Sequence, residues 1–305
     1  MQRLQFFSVL GLLVGGAALA TRGTPDPRVN LGSLTELWSD TLRDTDQIGM
    51  KFTRVSAADE MKTGAELAGR FGASGQRIAG EAYVGAVGQT VAEHVRRHEI
   101  RYQFHLIESP AINAFALPGG QVFVTTGMLN FVDSEAELAA VLGHEISHVD
   151  LRHCIERYQY EATLEKAGLP EAGQVVELAH RLATFSFTPD QELEADAQGQ
   201  RMSIEAGYDP DAAAALFLRM QARLREPSPA PATTPVGEVT QSAGAALESY
   251  FRSHPPSEER ASQLEDMVNR NRSGLHGSAF YVGKQNLHLR IQKSLHEYPD
   301  EYRTL

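Results

Sequence analysis

Cysteine is nearly absent from this sequence: Cys154 is the only one in 305 residues. A lone thiol closes no intramolecular disulfide, so the fold must be held by its core and by whatever ion it binds, not by covalent staples. Positive charge is short as well. Lys and Arg number 28 against 39 Asp and Glu, a formal net charge of −11, which excludes the basic face that nucleic-acid binding demands. No apolar run reaches the ~20 residues of a membrane-spanning helix, and no repeat of roughly 20–50 residues marks a solenoid. What the chain does have is 42% apolar residues, ample for the core of one large domain or two small ones.

The first 20 residues differ from the rest. Arg3 is their only charge, residues 6–19 form an apolar run, and Ala18-Leu19-Ala20 is a small-x-small cleavage pattern. Together these read as a secretory signal peptide over 1–20, with an uncleaved anchor as the alternative. They predict an exported, periplasmic protein, membrane-associated if the segment is kept. No cysteine follows the run, which excludes lipid attachment at a new N-terminal cysteine. Residues 21–56 read as a leader containing Pro25 and Pro27, then a helix striped by Leu34, Leu37, Trp38 and Leu42.

One later stretch carries chemistry. His144-Glu145-Ile146-Ser147-His148 reads H-E-x-x-H within a helical pattern. Residues four apart lie about 40° apart around a helix axis, so the two imidazoles project from one face, and neutral imidazole suits Zn²⁺. Glu145 sits at the edge of that face, placed to take a proton from a water on the metal. Ser134-Glu135-Ala136-Glu137 reads as a capping box at the helix start. Leu138, Val141, Leu142, Ile146 and Val149 follow at helical spacing, which predicts burial on most sides. Two histidines and a glutamate on such a helix would be costly to bury without partners. Read as one continuous helix, the pattern carries Cys154 in its last turn, roughly 80° from His144 and 120° from His148, so Cys154 is expected to pack rather than ligate.

The remaining segments frame this helix. Residues 57–70 and 80–97 read as helices around a Gly-rich loop. Residues 101–107 and 121–125 read as strands, the second following a turn at Pro118-Gly119-Gly120. A sheet edge beside the metal would let an extended peptide add as a further strand; an ordinary hairpin covering the core is the alternative. Residues 156–183 are expected to be mainly helical. Thr188-Pro189-Asp190-Gln191 is a strong helix start, and Leu216, Phe217, Met220 and Leu224 stripe a later helix. Four prolines at 227–235 make 226–244 a mobile loop. A short helix over about 257–270 follows, and 273–305 form a tail with no legible chemistry.

A catalytic zinc usually takes three protein ligands and keeps a fourth position open. Glu192 is the leading candidate for the third, because Asp196 one turn later can accept the free N–H of a ligand histidine. Glu194 is the rival, although it points about 160° away from Asp196's side. His254, in Ser253-His254-Pro255-Pro256 behind the Pro-rich stretch, has three readings. It could plug the open position, stabilise an oxyanion, or be a surface histidine before a helix.

With Glu192-Leu193-Glu194-Ala195-Asp196, the H-E-x-x-H stretch resembles the HtpX/BepA-like zinc metallopeptidases, in the gluzincin superfamily that also contains the CAAX prenyl proteases and the Oma-type proteases. Asn113-Ala114-Phe115-Ala116-Leu117-Pro118-Gly119-Gly120 and Ser253-His254-Pro255-Pro256 with Arg260 agree with it. The resemblance covers roughly residues 57–270 and rests on four motifs in order. It implies zinc held by His144, His148 and Glu192, Glu145 as general base, and Asp196 with Arg260 behind the ligands. It also implies that the strand after the glycines is the substrate edge, marked by Asn113, Gly119, Gly120 and Val122. The chain departs from the membrane-embedded members in lacking their transmembrane pattern, and from the BepA type in lacking room for a C-terminal repeat domain.

The expectation is therefore an α+β fold, a mostly helical zincin-like metallopeptidase domain over 57–272 with a small β-sheet beside the H-E-x-x-H helix. It would bind one Zn²⁺ per chain and act as an exported endopeptidase on unfolded or misassembled proteins, in envelope quality control. Outer-membrane assembly machinery is a candidate partner, with no nucleic acid and no integral span after signal cleavage. A zinc-stabilised chaperone that binds client strands without cutting them is the alternative.

Overall fold

A computed structural model describes residues 55–71, 78–166, 187–225, 247 and 250–304 of the chain. The expected signal peptide, the leader up to residue 54 and the Pro-rich stretch 226–244 lie outside the described residues. Residues Val55–Leu305 form one compact unit. It opens with helices α1 (Ala57–Ala68) and α2 (Glu81–Ala92), the first begun by Ser56, whose hydroxyl accepts from the Asp59 amide.

Three strands follow: β1 (Gln103–Ile107), β2 (Ala114–Leu117) and β3 (Gln121–Thr125). β3 is central, parallel to β1 and antiparallel to β2. The first and last strands are thus not the two arms of a hairpin, and β2 lies between them in sequence. Ala114-Phe115-Ala116-Leu117 is buried along its whole length, so it has no polar alternation to give it away. Ala114, Ala116, Val122 and Val124 enter the main core, while Phe115, Leu117 and Phe123 pack with Leu67 and Ala68 of α1. The β2–β3 turn needs its glycines: Gly119 has φ 74° and Gly120 φ 87°. A Cβ on Gly119 would stand 2.5 Å from the Glu60 carbonyl oxygen.

This topology corrects the expected substrate edge. Val122 lies on the central strand, with its backbone paired on both sides and its side chain in the core. Gly119 and Gly120 are buried in the turn against Glu60 and Arg101. The edge nearest the motif helix belongs to β2. The Thr125 amide donates to the Asn113 carbonyl (3.0 Å), and that phase turns the backbone groups of Ala114 and Ala116 away from β3. The Ala116 carbonyl already accepts from the Cys154 thiol at 3.5 Å.

Helices α3 (Thr126–Phe131), α4 (Glu135–Asp150), α5 (His153–Lys166) and α6 (Pro189–Glu205) follow. α4 carries the H-E-x-x-H motif and is buried along its entire length. Half of its expected capping box forms. Ser134 Oγ accepts from the Glu137 amide, but the Glu137 carboxylate accepts from Asp133 N and Arg219 instead of the cap residue. At the start of α6 both halves of the Thr188–Gln191 box form. α4 and α6 touch backbone to backbone, since a Cβ on Gly199 would lie 2.7 Å from His144 N. That contact brings two helices full of polar motif residues within ligand range of each other.

α7 (Ala212–Arg225), α8 (Glu258–Leu275), β4 (Ala279–Tyr281), α9 (Lys284–Leu289) and β5 (Tyr302–Thr304) complete the unit. The last segments reach the start of α4, where the Val282 and Gly283 carbonyls accept from the Ala136 and Glu135 amides. These are first-turn N–H groups with no partner inside the helix. Buried Glu135 accepts from Tyr83, Tyr208 and the Lys293 amide. Among the described residues no helix is long and apolar enough to cross a membrane.

Candidate metal centre

α4 does not continue to Cys154. It ends at Asp150, Arg152 takes a left-handed φ of 72°, and α5 begins at His153. Upstream of that break His144 and His148 point to one spot, their Nε2 atoms 3.1 Å apart. Glu192 on α6 meets them there, with Oε1 3.5 Å from His148 Nε2 and Oε2 3.5 Å from His144 Nε2. His254 closes the group: its Nδ1 is 3.1 Å from His144 Nε2 and 3.0 Å from Glu192 Oε1. All four residues are buried. Taking one ligand atom from each residue, all four lie within 4.8 Å of one another, and the shorter spacings approach the ~3.3–3.4 Å between donors held tetrahedrally ~2.0–2.1 Å from one zinc.

The hydrogen bonds behind the ligands fix which atoms face inward. His144 Nδ1 lies 2.9 Å from Asp196 Oδ1, so its N–H points outward and Nε2 turns a lone pair to the centre. Burial alone would lower the His144 pKa. The bonds to Asp196 and Glu192 overcome it and raise the pKa to about 10, so without a metal Nε2 carries a proton too, and its lone pair reaches the centre only when a metal displaces that proton. His148, buried against the stacked ring of Phe187 at 3.7 Å, is pushed down instead and stays neutral.

Arg260, at the start of α8, holds the carboxylates together. Its Nε and Nη2 donate to Asp196 at 2.7 and 2.8 Å, Nη1 is 2.6 Å from Glu192 Oε2, and Nη1 also donates to the Pro255 carbonyl. Burial would raise the Glu192 carboxyl, but His254 and Arg260 hold it well below the usual carboxylate range. Asp196 is lowered against the same burial, by Arg260 first.

Glu145 stands apart from this network. It is fully buried, and neither carboxylate oxygen accepts a hydrogen bond, though His254 Nε2 lies 3.3 Å from Oε1. Burial pushes its carboxyl up. Glu194 is not in the donor group: its Oε2 lies 3.2 Å from Nε2 of His153, whose Nδ1 is 3.0 Å from His148 Nδ1. His153 had no signal in the sequence, because along an uninterrupted helix it would lie about 140° from His148. Asn113 leads into β2, its amide donating to Thr125 Oγ1. An apolar cleft walled by Val141, Leu216, Phe217 and Met220 runs beside His144 and Tyr250.

Comparison with known proteins agrees with this geometry. The model of peptidase family M48 matches residues 79–268. The mitochondrial metalloendopeptidase OMA1 of Schizosaccharomyces pombe is 32% identical over 196 residues, covering 61% of this chain and 52% of that protein. The beta-barrel assembly-enhancing protease of Escherichia coli is 33% identical over 147 residues, 43% of this chain and 30% of that one. The human mitochondrial metalloendopeptidase OMA1 is 49% identical over 59 residues, 19% of this chain and 11% of its own length. The chain thus spans about half the length of the first of these relatives and less of the others.

Proposed function

The chain belongs to peptidase family M48, and from that premise we propose that it is a zinc-dependent endopeptidase whose metal is held by His144, His148 and Glu192, with Glu145 as general base. The observation that carries this reading is a buried carboxylate with no hydrogen bond of its own, set beside four converging donors. Held by these residues, zinc would polarise the scissile carbonyl and lower the pKa of its water towards ~7. Glu145 takes the proton of the attacking water and hands it to the leaving amine, and its burial-raised pKa suits both transfers. Asp196 keeps the proton on the outer nitrogen of His144, and Arg260 keeps Asp196 and Glu192 ionised.

His254 belongs in this reading as a plug. Its Nδ1 stands among the ligand atoms, in the position a catalytic site keeps open, and that position favours closure over an oxyanion role. Substrate would enter when His254 withdraws. An extended client would then pair with the outward backbone groups of β2 at Ala114, the Ala116 carbonyl being taken by Cys154, so unfolded chains are preferred over folded ones. The cleft beside His144 takes an apolar side chain. The signal-peptide pattern together with the named role of the Escherichia coli relative in β-barrel assembly supports an exported protein in envelope quality control, acting on misassembled proteins near the outer-membrane assembly machinery.

The test is zinc content measured alongside cleavage of unfolded casein. Wild type should bind one zinc and cut. Glu145→Gln should keep the zinc and lose cleavage by roughly 10²–10⁴-fold. Zinc-loaded wild type that leaves casein intact after long incubation would favour the chaperone alternative.

A further inference from the structure

His148 is held from behind by a chain that runs to the surface. Its Nδ1 lies 3.0 Å from Nδ1 of His153, and His153 Nε2 lies 3.2 Å from Glu194 Oε2. His153 is 3% exposed and Glu194 53%, so the chain starts dry and ends in water. Proton positions along it follow from the ligand atom. With Nε2 of His148 turned to the metal, its Nδ1 carries the hydrogen and donates. His153 Nδ1 must then accept, which puts the His153 hydrogen on Nε2, where it donates to the Glu194 carboxylate.

The backbone is bent to make this contact. Arg152 is one of only two non-glycine residues with positive φ among those described, a conformation that L side chains adopt rarely and at a cost. The left-handed step ends α4 and returns the first residue of α5 to the ring it has just passed. Phe187 stacks on the face of His148 at 3.7 Å. Ring stack and rear hydrogen bond together leave His148 one orientation.

We propose that His153 and Glu194 are positioning residues, which orient His148 and fix its tautomer for metal binding through a His148–His153–Glu194 chain. The inference rests on the metal-centre reading above, and metal binding, not cleavage, tests it. Zinc affinity would be measured by chelator competition for wild type, His153→Ala, His153→Asn and Glu194→Ala, with visible spectra of the Co²⁺-loaded forms and melting of the metal-free forms.

His153→Ala should bind zinc roughly 10–100-fold more weakly and shift the cobalt bands. His153→Asn should recover most of that loss, because its amide oxygen can accept where Nδ1 did. Glu194→Ala, at the wet end, should cost a smaller two- to tenfold, roughly one hydrogen bond. A His153→Ala protein that melts lower but binds zinc and colours cobalt like wild type would overturn the proposal, as would an Asn variant no better than Ala. Should His153→Ala fail to fold, an unchanged zinc affinity in Glu194→Ala overturns it. If wild type itself binds no zinc, the metal-centre reading fails, and this proposal falls with it.

Discussion

His144 and His148 leave one helix a turn apart and converge on one point, yet what stands behind them differs. Behind His144 is a buried carboxylate, Asp196, clamped by the two-pronged Arg260. Behind His148 is another imidazole, His153, and only then a carboxylate in contact with water. One side is a dry ion network whose partners cannot be replaced by solvent. The other is a graded hydrogen-bond chain whose far end water can repair. Removing the outer partner should therefore cost much more on the His144 side, where it is Arg260, than on the His148 side, where it is Glu194.

The largest effect is expected at Arg260. Arg260→Ala leaves Asp196 and Glu192 buried without their cation, and urea unfolding of the metal-free protein should report a loss of roughly 3–5 kcal/mol. A loss under about 1 kcal/mol, the range of exposed ion pairs, would erase the contrast between the two sides. Next comes Asp196→Asn, which should weaken zinc roughly 10–100-fold. If Glu194→Gln weakened zinc as much, the His148 side would be no more forgiving than the other.

Sequence and structure agreed where a feature is local and diverged where it depends on distant partners. The starts of α4 and α6 were legible because Ser134 and Thr188 cap their own helices. His144, Glu145 and His148 were legible because i, i+4 spacing fixes a face. Glu192 was separable from Glu194 by its phase relative to Asp196. β2 was invisible, since burial on both sides removes the alternation that marks a strand. The parallel pairing of β1 with β3 is set by residues 18 positions apart, which no turn signal encodes. His153 was hidden by Arg152, a residue whose type gives no hint of a left-handed backbone. The closing segments looked featureless because their role, accepting the first amides of α4, is played by backbone carbonyls.

Two smaller effects test how the helices are set beneath both sides. Gly199→Ala would place a Cβ 2.7 Å from His144 N. Pushing α6 off α4 should cost roughly 1–3 kcal/mol, read by thermal melting, and loosen zinc as well. An unchanged melting temperature would mean the helix contact is not what sets the ligand spacing. The smallest effect concerns Glu135, under the start of α4, whose carboxyl is raised by burial. A raised acid keeps its proton in the folded state after the unfolded chain has lost it. Its contribution is present at low pH and declines as pH rises from the ordinary carboxylate range through the raised value. Wild-type stability measured against Glu135→Gln should therefore fall steadily over that window, and a difference that grows with pH would contradict the assignment.

His144, His148, Glu192 and His254 are proposed to surround one zinc, with His254 in the position substrate chemistry needs. X-ray absorption of the zinc-loaded protein and of His254→Ala tests this arrangement most directly. Wild type should show three imidazole nitrogens and one carboxylate oxygen. The variant should show two imidazoles, with zinc retained and basal casein cleavage raised. A sulfur ligand from Cys154, an unchanged imidazole count in His254→Ala, or a variant that cuts more slowly than wild type would contradict that arrangement.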